Sequence, residues 1–202
     1  IIKSIRSSQQ TKVRKQDFLK TYQAEKVLVY TGGNNEEYFH KAFPACIAFF
    51  QQLSTQKVLS KYVIVLQKHP AAPNNSNDAQ LVEQWNKQCT NNSNLPKFVK
   101  LNMETIQALA LADGVLYHQT SMAPQFVLAG IPTIQIAHKA YQDLLVRNKL
   151  CYMVTSTNDL EKVLEDMTSQ SHMVAADEVQ KALGLAPSWQ KQLMLSLNLE
   201  QV

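Results

Sequence analysis

The sequence predicts an α/β protein built on a doubly wound parallel sheet of about six strands. Two observations carry this. Six short apolar runs rich in β-branched residues recur along the chain, and a helical pattern separates each from the next. Strands joined by helical crossovers must run parallel, and the crossovers cover both faces of the sheet.

In order, the predicted strands are Val27–Tyr30, Tyr62–Leu66, Phe98–Leu101, Val115–Tyr117, Thr133–Ile136 and Tyr152–Thr155. Helical patterns lie between and after them at 36–53, 78–89, 104–112, 121–129, 139–148 and 158–168, with a final pair near 175–184 and 188–199 divided by Gly184 and Pro187. Asn35, Asn77 with Asp78, and Asn158 with Asp159 and Glu161 supply predicted helix starts. The stretches Pro70–Gln80 and Thr90–Pro96 are loops rich in Asn, Ser and Pro, whose side chains satisfy turns and block helix continuation. The alternation resumes after each, so neither reads as a domain linker.

Of 202 residues, 45% are hydrophobic, enough for a substantial core. No apolar run reaches the roughly 20 residues that span a bilayer, and no signal-peptide pattern is present. The net charge of +4 is unevenly placed. Residues 1–20 hold six basic side chains (Lys3, Arg6, Lys12, Arg14, Lys15, Lys20) against Asp17 alone, and the other 182 residues hold 14 basic and 15 acidic ones. The body is therefore neutral, which argues against nucleic acid as a partner. The basic leader reads as a linker or as an entry helix packing on the domain, with phosphate or membrane contact as the lesser alternative. Cys46, Cys89 and Cys151 form no CxxC and no even set, which suits a reducing compartment and gives neither a disulfide framework nor a structural zinc site.

With only five glycines, their positions carry information. Gly32-Gly33 directly follows the first strand. A Gly pair between strand and helix lets backbone approach a ligand, while a tight turn needing positive φ explains it equally well. Three of five histidines also follow strands: His69 the second, His118 the fourth, His138 the fifth. In a doubly wound sheet those carboxyl ends border the ligand crevice. Each His taken singly is explained by loop hydrogen bonding; their shared edge points to function. Their spacing does not require a metal. The tetrad His118-Gln119-Thr120-Ser121 places two hydroxyls at the predicted start of the next helix, where they can cap it or hold a phosphate.

The segment ADGVLYHQTSMAPQFVLAGIPTIQIAHKAYQDLLVRNKLC resembles the nucleotide-sugar-binding half of GT-B glycosyltransferases. The likeness is nearest to the UDP-N-acetylglucosamine transferase of peptidoglycan lipid synthesis and extends to the UDP-N-acetylglucosamine 2-epimerase superfamily. The matching residues are Ala112-Asp113, Thr120-Ser121, Gly130-Ile131-Pro132, His138-Lys139 and Gln142. His69-Pro70 is similar to the HP that ends the second strand in capsule and teichoic-acid-type transferases and in the epimerases. The order of elements matches over about residues 26–168, with the specific motif confined to 112–151. Gln125 stands where the family carries a ribose-binding Glu, and the Arg- and Glu-containing signature of the epimerases is not visible.

The resemblance implies a Rossmann-like domain, one half of a GT-B fold, over residues 25–202, with 1–24 as a basic leader or interdomain connection. It implies a nucleotide-diphosphate-sugar donor, UDP foremost, bound without metal or other cofactor. Gly32 and Gly33 would admit the diphosphate; Gln119, Thr120 and Ser121 would line its phosphates. Gln125 would face the ribose, with His69, His138 and Gln142 toward the sugar or diphosphate. His118 is the candidate catalytic residue, assisting the leaving group. An N-terminal GT-B domain of the same chain would be the partner, and bacterial cell-envelope glycan synthesis in the cytoplasm or at the cytoplasmic face of the membrane the setting. The resemblance leaves open an inactive scaffold domain, a nucleotide-sugar epimerase or a phosphosugar-polymer transferase.

Overall fold

A computed structural model of the chain describes residues 2–53, 59–67, 69, 76–91, 95–100, 105–136, 142–168 and 176–184. The strands are β1 (Lys26–Thr31), β2 (Tyr62–Gln67), β3 (Lys97–Lys100), β4 (Gly114–Tyr117), β5 (Thr133–Ile136) and β6 (Tyr152–Val154). They form one sheet of six, all parallel, in the order β3-β2-β1-β4-β5-β6. The chain builds outward from β1 to β3, returns to the centre at β4, and builds out the other way. The boundary between β1 and β4 is thus the topological switch point, where crossover helices diverge and leave a crevice at the carboxyl ends.

Alternate residues of each strand feed opposite cores. Leu28, Tyr30, Ile64, Leu66, Phe98, Leu116 and Ile134 face one cluster, shared with α3 (Phe43–Gln52), α4 (Ser76–Asn91) and α8 (Thr157–Thr168). Val27, Val29, Val63, Val65, Val115 and Tyr117 face the other, covered by α5 (Thr105–Leu111) and α6 (Ala123–Leu128). Both faces are buried, as the apolar strands require. In the first core Phe98 meets Phe43, Phe50 and Trp85 edge to face, and Trp85 Nε1 donates to the Pro96 carbonyl at 2.7 Å.

The basic leader folds as α1 (Ile2–Ser7) and α2 (Gln9–Tyr22), which pack against α5, and Phe18, Leu19 and Tyr22 reach the second core. Arg6 Nη1 donates to the carbonyls of Leu109 and Ala112, satisfying the open end of α5. Asp113 ties these pieces together. Its carboxylate accepts from Lys15 Nζ and from the Val27 amide, and its own amide donates to the Val27 carbonyl at 2.7 Å. Burial lowers the pKa of the Arg6 guanidinium, with Asp113 opposing.

Several helix boundaries differ from the sequence reading for local reasons. The helix after β1 opens with a π turn at Tyr38–Ala42, and Asn35 Oδ1 caps it by accepting from the Tyr38 amide at 2.8 Å. Pro44 would clash with a carbonyl four residues earlier in a regular helix, and the wider turn accommodates it. The cap of α8 is Ser156 rather than Asn158: Ser156 Oγ accepts from the Asp159 amide and Asp159 Oδ2 accepts from the Thr155 amide. This reciprocal pairing fixes the first turn, and hydrogen bonding of the Asp159 carboxylate, first of all by the Ser156 hydroxyl, lowers its pKa. Between β5 and β6 the described helix is only α7 (Leu144–Arg147). The predicted helix at 188–199 lies outside the described residues.

Candidate functional site at the carboxyl edge of the sheet

The strand order gathers the carboxyl ends of β2, β1, β4 and β5 side by side. Gly32 and Gly33 leave β1, His69 lies just past β2, the tetrad His118–Ser121 leaves β4, and Gln142 lies beyond β5. His138 lies outside the described residues.

At the β1–β2 edge, the Gly32 amide donates to the Gln67 carbonyl at 2.8 Å. A Cβ on Gly32 would stand 3.1 Å from that oxygen and 3.5 Å from the His69 nitrogen, so the two expected residues do converge. The positive-φ explanation for the Gly pair does not hold. Among the described residues the glycines with positive φ are Gly130 and Gly184. What excludes a side chain at Gly33 is Tyr38, whose ring carbon Cγ would lie 2.7 Å from an added Cβ. Gly33 is thus required by packing against a buried tyrosine, independently of any ligand.

The tetrad leaves β4 with His118 buried, Gln119 and Ser121 exposed and Thr120 half-buried. Thr120 Oγ1 accepts from the Met122 amide at 3.2 Å, and Thr120 O accepts from the Ala123 amide at 3.3 Å. α6 begins at Ala123, two residues later than the predicted start, with Pro124 in its first turn where a missing amide costs nothing. Ser121 therefore lies in the turn before the helix. Gln125 lies in the first turn of α6 and is exposed. The helix ends on Gly130 at φ 69°, with the Ile131 amide donating back to Phe126 and the Gly130 amide to Val127. This left-handed cap turns the chain into β5 and accounts for the Gly of the Gly-Ile-Pro motif.

Beneath the tetrad runs a rung of hydrogen-bonding side chains. Gln67, Thr31, Tyr117 and Gln135 are paired in register across β2, β1, β4 and β5, so they share one face. The rung two residues earlier is apolar on three of the four strands: Val65, Val29, Val115 and Thr133. Thr31 Oγ1 donates to the Leu116 carbonyl at 3.3 Å, and Gln135 Nε2 donates to the His118 carbonyl at 3.3 Å. Tyr117 Oη donates to Asp143 Oδ2 at 2.7 Å and lies 3.4 Å from Cys151 Sγ. Asp143 Oδ1 in turn accepts from the amides of Leu145 and Val146, capping α7 immediately after Gln142. Burial drives the Tyr117 phenol far above its ordinary range and pushes the Cys151 thiol up to about 11.

No protein-family model matches the sequence, and no curated protein matches it. Solved structures match in fold. The UDP-GlcNAc 2-epimerase of Methanocaldococcus jannaschii gives a TM-score of 0.53 at 11% identity, over 84% of this chain and 48% of that one. An α,α-trehalose-phosphate synthase (UDP-forming) from Burkholderia xenovorans gives 0.55 at 11%, over 98% of this chain and 49% of that one. The wall teichoic acid polymerase TagF gives 0.54 at 10%, over 95% and 47%. The chain spans about half the length of each of these three solved chains.

The fold is a Rossmann-like doubly wound α/β domain of the kind found in these GT-B structures.

Within this fold, three residues that the sequence pattern did not single out support the candidate site: Tyr117, Gln135 and Asp143. Two of them left a signal. Gln135 is a long amide inside an apolar strand, and Asp143 precedes the apolar start of a helix, a helix-cap pattern. Tyr117 left none, because an aromatic residue closing a buried strand is ordinary.

Proposed function

We propose that this domain binds a nucleotide-diphosphate sugar, UDP-linked foremost, as the donor half of a glycosyltransferase. The observation that carries this is the convergence of Gly32, His69, the His118–Ser121 tetrad and Gln142 along one carboxyl edge astride the switch point. Exposed Ser121 and Gln119 and the turn amides leading into α6 offer hydrogen bonds to phosphate oxygens, and Gln125 offers its carbonyl oxygen to a ribose hydroxyl. His138 is assigned to the sugar or diphosphate by the sequence resemblance alone. No metal is invoked, because fixed donors can stabilise the negative charge that grows on the departing diphosphate. His118 is the candidate to donate a proton to that leaving group, a role that histidine side chains commonly fill. The acceptor and a general base would come from a second domain of the same chain, working in the cytoplasm or at the cytoplasmic membrane face. Among the described residues no helix is long and apolar enough to cross a membrane.

A second reading is a binding or scaffold domain without donor chemistry. Gln125 in place of a Glu favours it, since a neutral acceptor gives the weaker bond to a hydroxyl. Calorimetric titration with UDP, CDP and GDP sugars separates the two: the donor reading expects one nucleotide to bind below millimolar concentration, and the scaffold reading expects none. Product analysis on a chain carrying both halves separates transfer from epimerisation and from phosphosugar polymerisation.

A further inference from the structure

We propose that Tyr117 and Gln135 are positioning residues of the candidate nucleotide site, forming a reciprocal latch between the loops that follow β4 and β5. The assignment rests on the nucleotide-binding reading above. Tyr117 is the last residue of β4 and pairs in register with Gln135 on β5. Each side chain crosses to the other strand's loop. Tyr117 binds Asp143, beyond β5, and Gln135 binds the His118 carbonyl, beyond β4. Both side chains are fully buried, and the Gln135 bond lies out of contact with water, while the Tyr117 bond ends on a half-buried Asp143.

The arrangement is poorly explained as packing. Gln135 Oε1 accepts no hydrogen bond among the described residues, so this amide carries a desolvation cost that an apolar side chain would not. Apolar residues occupy the equivalent inward positions on the opposite face, where Leu116 pairs with Ile134. What the polar pair does achieve is mutual fixing of two loops. Asp143 is committed twice, through Oδ2 to Tyr117 and through Oδ1 to the first amides of α7, which holds the backbone directly after Gln142. Because Tyr117 donates its proton to Asp143, the thiol of Cys151 is left to donate to the phenol oxygen, filling the remaining side of the bond. A ligand bridging the tetrad and Gln142 would then meet two anchored points, the His118 carbonyl and Asp143, already set at one spacing.

The test uses the 202-residue chain. UDP affinity is measured by calorimetry for the wild type, Tyr117→Phe, Gln135→Leu, the double variant and Asp143→Asn. Each single substitution is expected to weaken UDP binding by about tenfold. The double variant should lose clearly less than the product of the two, as parts of one device do. Asp143→Asn keeps one oxygen, enough to cap α7 but not to accept from Tyr117 as well, so it should weaken UDP binding about as much as Tyr117→Phe does. Hydrogen exchange gives a readout that needs no ligand. Tyr117→Phe should raise exchange at Leu145 and Val146 beyond the neighbouring strand, and Gln135→Leu should raise it in 119–122. A purely structural role would lower the unfolding midpoint while leaving the folded chain's UDP affinity within about twofold of wild type in both single variants. That result overturns the latch and leaves nucleotide binding standing. A wild type that binds none of UDP, CDP and GDP overturns the nucleotide reading and this role together.

Discussion

Tyr117 and Gln135 face each other across β4 and β5, and each is bonded to the segment that follows the other's strand. That relationship sets the stiffness of the candidate site's floor. The tetrad and Gln142 stand on a rung of polar side chains, with the apolar core two residues below.

Gly33 answers to Tyr38. Because the tyrosine is 1% exposed and stacked against Phe43, it cannot swing aside for an added methyl. Gly33→Ala should destabilise the fold by roughly 1–3 kcal/mol, the usual cost of overpacking. Urea denaturation of the variant measures this, and an unchanged midpoint would show that the loop relaxes instead.

Asp113 carries the attachment of the leader. Asp113→Ala removes the acceptor for the Val27 amide and the partner of Lys15 together, and should cost about 2 kcal/mol. Lys15→Ala removes only a partly exposed ion pair and should cost less than about 1 kcal/mol. Equal losses in the two variants would mean that the backbone bond contributes nothing beyond the ion pair.

The buried thiols set an alkaline limit. In the unfolded chain Cys151 loses its proton near about pH 8.5, whereas in the fold burial holds the proton until about pH 11. Over that window the folded state binds more protons than the unfolded state, so stability is complete below it and falls as pH rises through it. Cys89 behaves alike, also pushed to about 11 chiefly by burial. Urea midpoints should decline on that side, and the decline should shrink in a Cys89→Ala, Cys151→Ala double variant. A decline of the same size in that variant would assign it to Cys46, likewise pushed up by burial, and to the tyrosines.

Gln125 decides how well a ribose would be held. Gln125→Glu should tighten UDP binding by about tenfold, because a carboxylate accepts from a hydroxyl more strongly than an amide does. A Glu in the first turn also favours the helix by a few tenths of a kcal/mol, so the unfolding midpoint must be recorded beside the affinity. A gain in stability without a gain in affinity would remove Gln125 from the site.

How much of this could be read from sequence depended on whether the cause was local. All six strands were legible as β-branched runs, and the carboxyl-edge placement of Gly32, His69 and His118 followed from alternation alone. Register was not legible. Pairing Tyr117 with Gln135 requires knowing that β4 and β5 are neighbours and how they are staggered, which depends on long-range packing. The crowding of Gly33 by Tyr38 was hidden for a related reason: the tyrosine opens a π turn, which sequence periodicity does not reveal, and its ring lies against the glycine. The Ser156 cap was missed because Asn158 and Asp159 offered an equally good pattern two residues later.

The central claim is that the carboxyl edge of this sheet holds a nucleotide diphosphate. Its most direct test is calorimetric titration of the 202-residue chain with UDP, beside a Ser121→Ala, Gln125→Ala double variant in which two exposed side chains of the proposed site are shortened. The account predicts binding below millimolar concentration that weakens by about tenfold or more in the variant. Absence of binding by the wild type, or equal binding by both proteins, would contradict it.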